Sequence, residues 1–128
     1  MIDRTQFSTG AAAGASGAAT ATGYSPHIIG KILAVHADYQ DSPPATTDFT
    51  LSDENDPAAE NIVNLVDQAT DIKVYPRRLL EDNTGADLTY DGTRKVHGEY
   101  VVHGRLKAVI AQANAADSVL VTVWFECY

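Results

Sequence analysis

The chain has 128 residues and a mass of 13.7 kDa, one domain's worth of protein, which buries roughly two-thirds of its unfolded surface without a metal or disulfide staple. Apolar residues at 45% and charged residues at 20% exclude wholesale disorder. A net charge of −8 argues against nucleic acid and anionic membranes as partners, because both need clustered Lys and Arg.

Cys127 is the single cysteine, so neither an intrachain disulfide nor a Cys-based zinc site can be built. No run approaches 18 apolar residues, the length of a membrane-spanning helix. Ala11–Ala21 is small and uncharged but lacks the large apolar residues of a secretion signal, and Asp3 beside Arg4 removes the positive flank. Synthesis in a cytoplasm is the expectation.

Gly10–Gly23 (GAAAGASGAATATG) holds only Gly, Ala, Ser and Thr. With no large side chain to bury and glycine raising the entropy of ordering, residues 1–26 read as a flexible Ala/Gly-rich N-terminal arm. Arg4 and Phe7 ahead of the tract are its candidate anchors on a partner. Residues 27–128 then form the folded domain.

Ile28–Tyr39 (IIGKILAVHADY) is apolar and β-branched at its centre and predicts a buried strand, broken after Ser42 by Pro43-Pro44. Thr47–Leu51 alternates, with Phe49 and Leu51 on one face, and predicts another. Asp53–Glu60 is a polar loop, Asn61–Val66 a short apolar run that is strand or helix, and Ile72–Tyr75 a strand ended by Pro76. Asp82-Asn83-Thr84-Gly85 and Asp91-Gly92 are turn signals, the second near a possible hairpin around Tyr90. In Tyr100–Ile110 one face carries Tyr100, Val102, Leu106, Ala108 and Ile110, the other His103, Arg105 and Lys107. In Val119–Phe125 the valines and Phe125 face inward, with Thr122, Trp124 and Glu126 opposite. These last two strands are expected to pair as an antiparallel hairpin. Short strands at regular spacing predict an all-β fold, an antiparallel β-sandwich or barrel of jelly-roll or immunoglobulin-like type.

The chain has no nucleophile elbow, phosphate-binding glycine loop or zincin motif, so no catalytic residue, cofactor or metal is assigned. His97, Glu99 and His103 share strand parity and form a conceivable metal face, but Arg105 and Lys107 beside them disfavour a cation, and a solvated polar face is the better reading. Asp53-Glu54-Asn55-Asp56 lacks the glycine of a calcium loop. Charge is lopsided: nine acids and no Lys or Arg lie between Lys31 and Lys73, whereas Lys73–Lys107 carries seven bases against five acids. Such a dipolar domain can dock head to tail or present one charged face to a larger surface. Arg77 and Arg78, in Tyr75-Pro76-Arg77-Arg78, are candidate partner contacts, as is Trp124.

The segments Lys31–His36, Pro43–Leu51, Tyr75-Pro76-Arg77, Tyr90–Thr93 and Tyr100–Gly104, continuing through Ile110–Asn114 to Asp117–Val119, resemble small β-rich structural proteins of tailed bacteriophages, of the head decoration (cement) type. The resemblance covers about residues 27–126 and implies a non-enzymatic virion protein, made in the host cytoplasm and located on the capsid surface. It further implies the major capsid protein and a second copy of the chain as partners, with a homotrimer the expected stoichiometry at threefold lattice junctions. A head–tail connection or tail protein fits the same resemblance. From another class, a β-sandwich carbohydrate-binding module with Trp124 as stacking platform competes with it, and a small hydrolase using His36 or His97 is a distant third.

Overall fold

The computed structural model describes residues Met1–Tyr128 and contains nine strands and no helix. The strands are β1 (Ile2–Ser8), β2 (Ala19–Gln40), β3 (Asp48–Asp53), β4 (Asn61–Leu65), β5 (Ile72–Val74), β6 (Arg78–Leu79), β7 (His97–Gly98), β8 (Val101–Ala113) and β9 (Ser118–Cys127). Seven of them form one antiparallel sheet in the order β1-β9-β2-β8-β3-β4, with β5 also on β2, while β6 and β7 make a two-stranded sheet of their own. The all-β, antiparallel expectation holds.

The organising element is β2, 22 residues long. Its first half, Ala19–Lys31, pairs with β8, and its second half, Gly30–Gln40, pairs with β9 on the opposite edge. Two irregularities, between Tyr24 and His27 and between Ile32 and Ala34, each reset which parity faces inward. The buried residues are Ala19, Ala21, Gly23 and Ser25, then Ile28, Gly30 and Ile32, then Val35, Ala37 and Tyr39, with Ala34 also buried at the second irregularity. Pro26, which has no N–H for a ladder, sits in the first irregularity, where the Ser25 hydroxyl donates to the Pro26 carbonyl and accepts from Leu106 N–H. At Gly30, where β2 has partners on both edges, an added Cβ would collide with the Glu126 carbonyl oxygen. Only glycine allows so close an approach.

The core gathers inward residues of every long strand, including Phe7, Ile32, Val35, Phe49, Leu51, Leu106, Ile110, Val119, Val121, Val123 and Phe125. The alternations expected in β8 and β9 are observed: Val102, Leu106, Ala108 and Ile110 are buried, as are Val119, Val121, Val123 and Phe125. Asn61–Val66 resolves as a strand, β4, pairing with β3.

Two expectations are corrected. First, β8 and β9 do not pair with each other, because β2 lies between them. A strand long enough to serve both interposes itself, and left-handed Gln112 and Ala116 turn the intervening chain aside. Second, residues 1–26 are not a flexible arm, and no domain boundary falls at residue 26. β1 pairs with β9 along its whole length, with Phe7 opposite Val121 in the core. The Ala/Gly tract is ordered by backbone bonds, Ala12 N–H to the Asp117 carbonyl and Ala116 N–H to the Ala12 carbonyl, and Asn114 Oδ1 accepts from Ser16 and Gly17. At Ala12, Ala19, Ala21 and Gly23 the small side chains reflect close packing rather than freedom. A Cβ at Gly23 would strike the Ser8 carbonyl and the Thr9 backbone, so the first half of β2 lies directly against the end of β1.

Between Pro76 and Tyr100 the chain leaves the main sheet as a narrow projection. Leu80, Leu88 and Val96 close a ring of backbone bonds, each N–H donating to the carbonyl of another of the three. The two turn signals perform as expected. The Asp82 carboxylate accepts from Thr84 N–H, Thr84 hydroxyl and Ala86 N–H, and Asp91 accepts from Thr93 and Arg94 N–H. These bonds, led by the Thr84 hydroxyl at Asp82 and by Arg94 N–H at Asp91, hold both carboxyls below the usual range.

Candidate functional site

The outward face of β1, β9, the second half of β2 and β5 forms one continuous surface. Register sets its rows: Arg4 opposite Trp124 and Trp124 opposite Ala34, then Gln6, Thr122, His36 and Lys73 in line. Gln6 donates to the Thr122 hydroxyl at 3.0 Å, fixing the β1 side. Lys73 Nζ lies 4.3 Å from the Trp124 ring centroid and 5.5 Å from that of Tyr75, so one ammonium caps two aromatic rings. Arg77 Nη1 reaches the Leu33 carbonyl at 3.2 Å and its own Pro76 neighbour at 2.7 Å. That bond anchors the start of the projection at the β2 irregularity beside Ala34.

The sign of this face follows from which bases are already neutralised. Of nine Lys and Arg residues, Arg78, Arg94, Lys95 and Arg105 are in ion pairs with Glu81, Asp91, Asp87 and Glu54. Of the remaining five, Arg4, Lys31, Lys73 and Arg77 surround Trp124, and only Lys107 lies elsewhere. An acidic chain thus concentrates its free positive charge on one aromatic platform.

A second feature is a groove of about 550 Å³ between the 53–60 loop and the root of the projection, lined by Asp53, Asp56, Glu60, Arg78, Glu99, Tyr100 and His103 among others. The loop is bound to β8. Glu54 N–H donates to the Arg105 carbonyl, Asn55 Nδ2 to the His103 carbonyl, and Arg105 forks onto Glu54 with two bonds of 2.7 Å. That fork holds the Glu54 carboxyl below its ordinary range, and Arg105 also lies 4.3 Å over the Tyr24 ring. Gly104 leaves the space that Asn55 occupies. The acidic loop is therefore a clamp on β8 and only in part a solvated face. Burial raises the Tyr100 hydroxyl pKa.

The sequence-predicted residues separate. Arg4 and Trp124 come together as cross-strand neighbours, and Arg77 lies beside them. Phe7 is buried in its own core rather than offered to a partner, because β1 is a strand of the sheet. Arg78 faces the groove and pairs with Glu81 at 4.0 Å. His97 lies on β7, apart from the groove, while His103 packs edge-on against His27 with ring centroids 5.2 Å apart. Sequence reasoning counted Lys73 among the bases but did not single it out as a contact; its place on β5 opposite His36 brings it to Trp124.

On the inward side of β2 near its end, Tyr39 is buried with its hydroxyl unpartnered, and burial, reinforced by the nearby Asp71 and Asp48 carboxylates, pushes its pKa up to about 12. Asp71 accepts from Tyr39 N–H, and Asp48 from Asp67 N–H and the Gln112 side chain.

No protein-family model and no curated protein matches the chain. Among solved structures, one described as the crystal structure of FLHE is similar at 14% identity and a TM-score of 0.46, covering 98% of this chain and 97% of that one. A cyanophage Pam1 capsid asymmetric unit is similar at 17% identity and a TM-score of 0.46, covering 99% of this chain and 85% of that one. Both similarities are too distant to carry an argument about function.

Proposed function

We propose that this chain is a non-enzymatic bacteriophage virion protein, a decoration protein that binds the outer surface of the head through the major capsid protein and stabilises it. The observation that carries the reading is the Arg4–Trp124–Lys73 platform, built on paired strands and holding most of the unpaired cations. Aromatic and cationic surfaces suit protein partners, with Trp and Arg the side chains that most often anchor such contacts. Of the phage-like segments, Lys31–His36 lies in the part of β2 that carries the platform, while Val101–Gly104 and Ile110–Ala113 lie in the neighbouring strand β8. A homotrimer at the threefold junctions of the lattice belongs to the same reading, as does the alternative of a head–tail or tail position.

The carbohydrate-module alternative is disfavoured by a specific contact. Lys73 occupies a face of the Trp124 ring, where a sugar would stack.

The test is co-sedimentation of the purified protein with heads from the phage whose genome carries the gene, stripped of their own accessory proteins. Saturable binding that is lost in Trp124→Ala and Arg4→Ala is expected. Absence of the protein both from those pellets and from mass spectra of mature particles would overturn the reading.

A further inference from the structure

The platform is one half of a larger face whose other half has the opposite sign. Along the outward side of β2, Lys31 stands at one end and Asp38 at the other, about 20 Å away at the usual strand rise. Past Asp38 come Asp41, at the left-handed end of β2, and Asp71, held against Tyr39 N–H. Arg4 and Arg77 flank the Lys31 half, and Lys73 stands at its boundary with its ammonium over Trp124. Glu126 is the one acid there, in register with Lys31. His36 lies between the halves, in register with Lys73.

We infer that this face pairs with the same face of a second copy about a two-fold axis. Turning one copy by half a revolution sets its cationic half over the acidic half of the other, and the reverse contact forms by symmetry. Trp124, near the middle, would be covered by the partner. Because both signs lie side by side on one surface, a two-fold satisfies both at once, whereas a head-to-tail ring would leave one half of each face unmatched. The inference concerns the free protein and rests on its own charges. Its failure leaves the capsid-binding assay untouched, and failure of that assay leaves this one standing.

The face spans four strands and is roughly 20 Å on a side, so a pair buries on the order of 800 Å² in total, well under a standard stable interface. The association is therefore weak, electrostatic and sensitive to salt.

The experiment is sedimentation velocity of the full chain across a concentration series at low salt and at about 0.5 M NaCl, which shortens electrostatic reach to a few ångströms. Trp124 emission is followed in parallel. The chain has a single Trp, so its spectrum reports this face alone. A monomer–dimer equilibrium at low salt is expected, dissociating in high salt, with emission moving to shorter wavelength as the dimer forms. Lys31→Glu and Asp38→Lys should each weaken pairing by roughly tenfold or more, and the two together should recover most of it. Thermal unfolding of each variant checks that the fold persists. A monomer at every concentration, a salt-insensitive trimer, a dimer that leaves Trp124 emission unchanged, or a double variant no better than the singles would each overturn the inference.

Discussion

Replacing Phe7 by alanine distinguishes an ordered edge strand from a flexible arm. Phe7 is 9% exposed, lies opposite Val121 and belongs to the central core cluster. Removing a buried phenylalanine side chain costs about 3–5 kcal/mol, the transfer term plus the cavity left behind. β1 is an end strand with one neighbour, so the site collapses in part and the lower figure, about 3 kcal/mol, applies. Against a total stability of about 5–15 kcal/mol, that is a large fraction, lowering the midpoint of thermal unfolding by roughly 10 °C. Urea denaturation followed by Trp124 fluorescence is the direct assay, because Trp124 is the cross-strand neighbour of Arg4 on the same pair of strands. Ile2→Ala, at a side chain 67% exposed on the same strand, is the control and should shift stability by less than about 0.5 kcal/mol. A Phe7→Ala variant as stable as the wild type would refute the reasoning and restore the flexible arm.

Gly30→Ala should destabilise by several kcal/mol or abolish soluble expression, since the new Cβ meets the Glu126 carbonyl on the neighbouring backbone, which cannot swing away; the midpoint of urea denaturation reads this. The raised pKa of Tyr39 makes the folded state hold its phenolic proton after the unfolded chain has lost it. Stability from this source is full below pH 10 and declines as pH climbs toward 12, because there the unfolded state binds fewer protons. Tyr39→Phe should lessen that decline and, by deleting an unpartnered buried hydroxyl, should not destabilise at pH 7; ultraviolet titration of the wild type should show Tyr39 and Tyr100 ionising later than the other tyrosines, and only the Tyr39 step should vanish in the variant. Asp82→Ala should speed amide exchange at Thr84 and Ala86 without moving the global unfolding midpoint, because the turn it organises lies at the exposed tip of the projection.

Where a rule of local chemistry governed, the fold was legible from the sequence. Period-two alternation located β8 and β9 and their buried faces, and Asx-type turns placed the bends at Asp82 and Asp91. Pairing was another matter. The partner of β9 depends on whether Ala19–Gly23 extends, and an Ala/Gly run has little strand propensity by itself. It extends here because β8 and the end of β1 leave a gap that only small residues fill. Composition reads the same residues as loose. The arm and the hairpin were thus missed for one reason, that the length of β2 is set by packing against chain far away in sequence.

The charge pattern divides in the same way. Counting along the chain separates an acidic 32–72 from a basic 73–107, yet four of the seven bases in that second stretch are cancelled by acids brought near by the fold. Glu54 crosses from the acidic stretch to hold Arg105, while Arg78, Arg94 and Lys95 are satisfied within the projection. Apart from Lys107, what survives as free positive charge comes from three separate parts of the sequence: Arg4 on β1, Lys31 on β2, and Lys73 with Arg77 around β5. No linear count assembles them, because strand register does. Trp124 and Arg4, fifth from one end and fourth from the other, become neighbours only through the pairing of β1 with β9. A surface of this kind is a property of sheet order, so any variant that frees β1 should lose the platform along with the stability.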